Sequence, residues 1–154
     1  MRKSIITIIL ILIYACSFGQ NENDINRMLE ESIIKSRDNY LHLVKNLPIQ
    51  HPFFLCQDGL PPKEVKCNES FYESIGLRTV SKGTITKLKD DLEQGIDILD
   101  VHYYLKGNCI EIYIHYLTAT MNGDEVLLGY WPHCMDYYIY EYSCETNEWR
   151  LKEE

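Results

Sequence analysis

Four pairs of residues carry the side chains of nucleophilic, acid–base or metal chemistry, and in each pair the spacing decides what they can do. His133 and Cys134 adjoin, the composition of a thiol and its base. Neighbours in an extended chain point to opposite faces, so that imidazole cannot take that thiol's proton. Glu111 and His115 share a strand face, but four steps of ~3.3 Å separate them by about 13 Å, too far for a direct proton relay. Asp136 and Glu141 point apart. His102 and His115 are of metal-ligating type, and the strand register expected below puts them on opposite faces, where they cannot share an ion. No glycine-rich phosphate loop, HExxH, GxSxG or calcium loop occurs. These observations predict no catalytic residues, no metal and no cofactor. A site assembled from distant residues leaves no such motif, which keeps an enzyme as the alternative.

The chain has six cysteines. Cys16 lies in the leader discussed below, leaving Cys56, Cys67, Cys109, Cys134 and Cys144. Five is odd, so at most two bridges form. No pair has the short C-x-x-C spacing of a zinc knuckle or redox site. Cys134 and Cys144 lie ten residues apart on one expected strand, about 33 Å, whereas a disulfide needs α-carbons within ~7 Å. The expected bridges are Cys56–Cys67, closing a loop, and Cys109–Cys134 within the sheet, with Cys144 left over or reaching Cys56 or Cys67.

Tyrosine is the other concentrated type. Nine of the twelve lie between Tyr103 and Tyr142, so the richness belongs to one part of the fold. In MDYYIYEYSC, residues 135–144, Tyr138, Tyr140 and Tyr142 share one face, and Met135, Tyr137 and Ile139 the other. One face must pack on helices, and the other would present rings with polar tips, which suits a half-wet contact surface. The residues read as partner- or ligand-binding are Tyr103, His115, Tyr130, Asp136, Tyr138, Tyr140 and Tyr142.

The elements that position these residues follow from periodicity. Arg2 and Lys3, the apolar run Ile5 to Ile13 and the small residues Ala15, Ser17 and Gly19 read as a secretory signal over residues 1–19, with residues 20–154 as a single domain. The run is too short to span a bilayer as a helix. Cleavage before Gln20 competes with Ile13-Tyr14-Ala15-Cys16 as a lipoprotein box that would anchor lipid at Cys16. Without residues 1–19 the formal charge goes from −8 to −10, because two bases and no acid are lost. That balance repels nucleic acid and favours a basic protein partner.

Asn23 to Leu47 reads as a long amphipathic helix with Ile25, Leu29, Ile33, Tyr40, Val44 and Leu47 on one stripe, widened by Met28 and Leu41. Asn23 would cap it and Pro48 stop it. Residues 48–70, rich in proline, read as irregular. Gly76 to Ser81 reads as an edge strand, and Thr84 to Gln94 as a second helix ended by Gly95. Strands follow from Ile96, with Asn122-Gly123 as a hairpin turn and Pro132-His133 as the next reversal. That register sets Met121 opposite Asp124 and Ile114 opposite Trp131, and turns Cys134 toward Cys109 with Cys144 near Val126.

The order predicts an α+β domain in which a long N-terminal helix and a second short helix pack on a curved antiparallel β-meander. It resembles cystatin-like and NTF2-like folds in general order. The function expected is an exported, periplasmic or secreted non-catalytic binding protein, in its most concrete form an inhibitor or immunity-type protein for a basic protein partner. The alternative is a small NTF2-like enzyme or small-ligand binder with a pocket between helix and sheet, lined by Tyr103, His115, Tyr130 and Asp136.

Overall fold

A computed structural model of the chain describes residues 24–47, 51–56, 58 and 69–152. The expected leader, Cys16, the Asn23 cap, Pro48 and Cys67 lie outside the described residues. Residues 24–44 form helix α1, followed in chain order by β1 (Phe53–Cys56), α2 (Glu69–Ser74), β2 (Arg78–Val80), a 3-10 turn (Ile85–Lys87), α3 (Lys89–Gln94), β3 (Ile96–Lys106), β4 (Cys109–Asn122), β5 (Glu125–Ser143) and β6 (Glu148–Leu151). The chain is α+β: one long helix and short helices on a strongly curled, mixed six-stranded sheet that forms a half-barrel.

α1 buries Met28, Leu29, Ser32, Ile33, Ser36, Tyr40 and Val44, a line advancing by three and four residues that faces one side of the sheet. Leu41 and Leu47, read as part of the stripe, are instead about half exposed, and Leu47 lies beyond the helix end at residue 44. The Arg27 guanidinium reaches Asp24 (3.8 Å) and Glu31 (3.1 Å) on the outer surface, pairs that contribute little in water.

The sheet is not an all-antiparallel meander. Its order is β2-β1-β3-β4-β5-β6, and β1 runs parallel to both β2 and β3. The segment Phe53–Cys56, read as irregular, is therefore an inner strand. Its four residues are apolar without alternation, the pattern of a parallel strand covered on both faces. β2 is an edge strand as expected. The helix read over 84–94 is broken at Leu88 (φ −92, ψ 43) into the 3-10 turn and α3, while Ile85, Leu88 and Leu92 still turn to one side. Gly95 ends α3 at φ 89, ψ 148. A β-carbon there would stand 3.0 Å from the His51 ring, so the position needs glycine for its backbone and for space.

Two departures reset the register of β4 and β5. The hairpin turn is Gly123-Asp124, with Asn122 opposite Glu125 and Met121 opposite Val126. Gly123 (φ 64) takes the first central position, where positive φ is required. Pro132-His133 does not reverse the chain. Between the pairs Leu117↔Tyr130 and His115↔Met135, the four residues Trp131 to Cys134 stand opposite Tyr116 alone. This is a wide bulge, built where Pro132 has no N–H to give the ladder and His133 sits at φ 58. β5 then continues in the same direction, pairing Asp136 with Ile114, Tyr138 with Ile112 and Tyr140 with Ile110.

The expected Cys109–Cys134 bridge falls with that register. Cys109 lies opposite Glu141, seven residues along β5 from Cys134, or about 23 Å. Cys56, Cys109, Cys134 and Cys144 are all free thiols, and the expected Cys56–Cys67 bridge falls on Cys67, which lies outside the described residues.

The main core lies between α1 and the inner sheet face, where Leu99, Val101, Ile110, Ile112, Ile114, Tyr116 and Tyr140 meet the buried line of the helix. Hydroxyls and carboxylates stitch this layer. Ser36 and the Tyr138 hydroxyl share a hydrogen bond at 3.0 Å, and Ser32 and the Tyr140 hydroxyl share one at 3.3 Å. The Tyr116 hydroxyl reaches the Ser36 carbonyl oxygen (2.9 Å) and the Asp136 carboxylate, which also accepts from Asn39 Nδ2 at 3.2 Å. Buried Asp97 accepts from Tyr40 and from Thr118 (2.7 Å), and Thr118 accepts from Trp131 Nε1 (2.7 Å). These bonds make it possible to bury polar groups that would otherwise cost several kcal/mol each. A second, smaller core covers one end of the outer sheet face, where Ile85 and Leu92 lie on Phe54, Ile96, Ile98, Leu117 and Ala119.

Candidate interaction face and histidine cluster

Because the second core covers only one end of the outer face, the other end is bare. Strand alternation and the register give its rows directly: His102, Tyr113 and Tyr137 lie side by side, flanked by Tyr104, Glu111 and Ile139 on one side and by Asp100, His115 and Met135 on the other. Tyr113 and Tyr137 stack at 4.6 Å between ring centroids, and Tyr104 meets Tyr113 edge-on at 5.6 Å. His115 stands edge-on to both His102 and Tyr130, each at 6.0 Å. Tyr104, Leu105, Tyr130, Met135 and Tyr137 are exposed. Such aromatic pairs are worth about 0.5–1.5 kcal/mol beyond their buried area, so the rings brace one another while their outer faces stay open.

Charge sits within and around these rings. Glu111 accepts from Tyr113 (3.0 Å) and Lys106 (3.3 Å), and the Tyr113 hydroxyl and then Lys106 hold its carboxyl below the usual carboxylate range. The Tyr113 phenol is held up, first by the Tyr137 hydroxyl beside it and then by desolvation and by Glu111. Deeper in, Asp100 is buried. Its Oδ2 lies 3.2 Å from Lys82 Nζ and 3.3 Å from His102 Nε2, while its Oδ1 has no hydrogen-bond partner among the described residues. Cys56 neighbours Asp100 across the β1–β3 pair. Burial pushes its thiol up to about 11, with the Asp100 and Asp58 carboxylates adding to the rise, so it stays protonated at neutral pH and is no nucleophile.

This cluster has the residue types of an acid–base site. The recess beside Cys56 and Lys82 measures about 10 Å³, room for roughly one water molecule. The gap between α1 and the sheet, where a ligand pocket was one expectation, is filled by the buried side chains of the main core.

The residues singled out from sequence divide between the faces. His115 and Tyr130 lie together on the bare outer face. Asp136 and Tyr138 bond to each other beneath α1, with Tyr138 to Asp136 at 3.4 Å, and Tyr103 packs against the same main core. Tyr140 is fully buried there, out of reach of any partner of the folded chain. Tyr142 is tilted against Trp149 at 5.3 Å near the β5–β6 turn. The pocket quartet Tyr103, His115, Tyr130 and Asp136 is therefore not brought together. Tyr104, Tyr113, Tyr137 and His102 belong to the same outer face without a local sequence signal that marks them as partner-binding. Their alternation along each strand was visible, but which alternate face is bare depends on the bulge.

The separation of His102 and His115 is overturned. Asp100 pairs with His115 and His102 with Tyr113, so all four project from one face. Among the described residues, no three His, Cys, Asp or Glu groups form a ready metal cage, and no helix is long and apolar enough to cross a membrane. Comparison with protein-family models, curated proteins and solved structures finds no match to this chain.

Proposed function

We propose that the chain is an exported, non-catalytic binding protein that docks a basic protein partner on the bare end of its outer sheet face, as an inhibitor or immunity-type protein would. The observation that carries this reading is the contiguous row Tyr104–Tyr113–Tyr137, braced by stacking and flanked by His102, His115 and Tyr130. Tyrosines of this kind bury large area at low entropic cost and are enriched where partners bind. The formal charge of −8 selects the partner's sign and speeds its approach. Glu111, held ionised on the face itself, adds a local negative charge. Export rests on the signal-like leader over residues 1–19, with cleavage before Gln20 and lipid attachment at Cys16 as its two forms. In general order, a helix across a curled sheet resembles cystatin-like and NTF2-like folds, from which the parallel pairings of β1 depart.

Capture on immobilised protein from extracellular or periplasmic extract, followed by titration of the purified partner, tests the reading. The expected partner is basic, its affinity falls with salt, and Tyr113→Ala with Tyr137→Ala weakens binding by about tenfold or more. Partners that are all neutral or acidic, or an affinity unchanged by that double substitution, contradict it.

A further inference from the structure

We propose that His102 and His115 form a binding site for a divalent transition-metal ion such as Zn²⁺, with water completing its coordination and Asp100 as the carboxylate behind the pair. The two imidazoles project from adjacent antiparallel strands on one bare face, with ring centroids 6.0 Å apart and planes at 70°. An ion bound to one nitrogen of each ring at 2.0–2.1 Å lies roughly 3.2 Å from each centroid, so two rings meeting it at a tetrahedral angle have centroids about 5.2 Å apart. The observed 6.0 Å closes to that by side-chain rotation, without backbone movement. Both rings are only partly buried, which leaves an approach from solvent.

Asp100 supplies the second and independent observation. Its carboxylate is 1% exposed, and one of its oxygens has no hydrogen-bond partner among the described residues. An orphaned, buried carboxylate oxygen is costly. Its other oxygen lies 3.3 Å from His102 Nε2, the position from which a carboxylate orients a metal-ligating imidazole and raises its basicity. An added cation beside this group offsets the burial of its charge. Lys82 Nζ also holds Asp100, at 3.2 Å. Its long, half-exposed side chain can swing out to solvent, which makes it the group that yields when an ion enters. Two imidazole nitrogens favour Zn²⁺, Ni²⁺ or Cu²⁺ over Mg²⁺ or Ca²⁺, which take oxygen ligands. The overall negative charge draws cations in.

The site needs no partner, so its test uses the protein alone. Calorimetric titration with ZnCl₂ at neutral pH should show one saturable ion per chain and a raised melting temperature. Replacing His102 or His115 by Gln should weaken binding by about tenfold or more, and Asp100→Asn by a similar or smaller factor. His42→Gln, on an exposed residue of α1, should leave it unchanged. Binding should fade as pH drops and protons compete for the imidazoles. Far-UV circular dichroism of each variant separates loss of the ligand from loss of the fold. No saturable Zn²⁺ binding by the folded wild-type protein overturns the proposal, as does binding that survives in folded His102→Gln and His115→Gln.

Discussion

Replacing Tyr140 by alanine is expected to destabilise the protein by about 3–5 kcal/mol, the range for removing a fully buried large aromatic side chain. Among the described residues, Tyr140 is the largest side chain with essentially no exposure. It stands on β5 opposite Ile110, and its hydroxyl shares a hydrogen bond with Ser32 on α1 and approaches the Met28 carbonyl oxygen and Glu31, each at 3.4 Å. Truncation therefore leaves a cavity and an unpaired Ser32 hydroxyl in the layer that holds helix to sheet. Tyr140→Phe removes only the hydrogen bonds and should cost about 1 kcal/mol. Tyr137→Ala, three residues away on the exposed face, should cost no more than its ring stacking on Tyr113, about 0.5–1.5 kcal/mol. Urea denaturation of the three variants checks the ranking: alanine at 140 shifts the midpoint far more than alanine at 137. Equal shifts would mean that the two faces are not buried as described.

The second large effect is alkaline. Burial first, and then the carboxylates they donate to, hold the phenols of Tyr40 and Tyr116 far above the ordinary value, Asp97 acting on Tyr40 and Asp136 on Tyr116. Burial likewise pushes Tyr138 up to about 12. Each is a neutral acid whose proton the folded state retains more tightly than the unfolded state. Below the unfolded value of 10 both states are protonated and the stabilisation is fully present. Above it the unfolded chain loses protons that the folded chain keeps, so stability falls as pH rises through the folded values. Tyr138 alone accounts for on the order of 2 kcal/mol after discounting for partial exposure, and Tyr40 and Tyr116 add to the same slope. Thermal melts from pH 8 to 12 should show little change up to about pH 10 and a steep decline beyond, shallower in Tyr116→Phe. A flat profile to pH 12 would remove the inner tyrosine–carboxylate network from the account.

Much of this architecture was legible because it rests on local pattern. Ile25, Met28, Leu29, Ile33, Tyr40 and Val44 announce α1 by their spacing, and the alternating isoleucines 110, 112 and 114 announce β4 and its buried face. What escaped depends on partners distant in sequence. Phe53 to Cys56 carries no alternation because both its faces are covered, and nothing in four apolar residues reveals two parallel neighbours. The bulge at Trp131 to Cys134 is written in a proline and one positive φ, signals shared with a tight turn. Reading it as a reversal placed Cys134 toward Cys109, whereas the facing of His102 and His115 is set by the β3–β4 turn, where Lys106 pairs with Cys109. The same misreading hid which tyrosines face outward, since a shift by an odd number of residues exchanges the faces of a strand.

The central claim is that the bulge leaves Tyr137 and Tyr130 on an open face while Tyr138 and Tyr140 lie beneath α1. Hydroxyl-radical footprinting of the native protein, read residue by residue in the peptides covering 125–143, tests it most directly. The account predicts strong oxidation of Tyr130 and Tyr137 and protection of Tyr138 and Tyr140 until the protein unfolds. Oxidation of Tyr138 and Tyr140 in the native state, with Tyr137 protected, would contradict it.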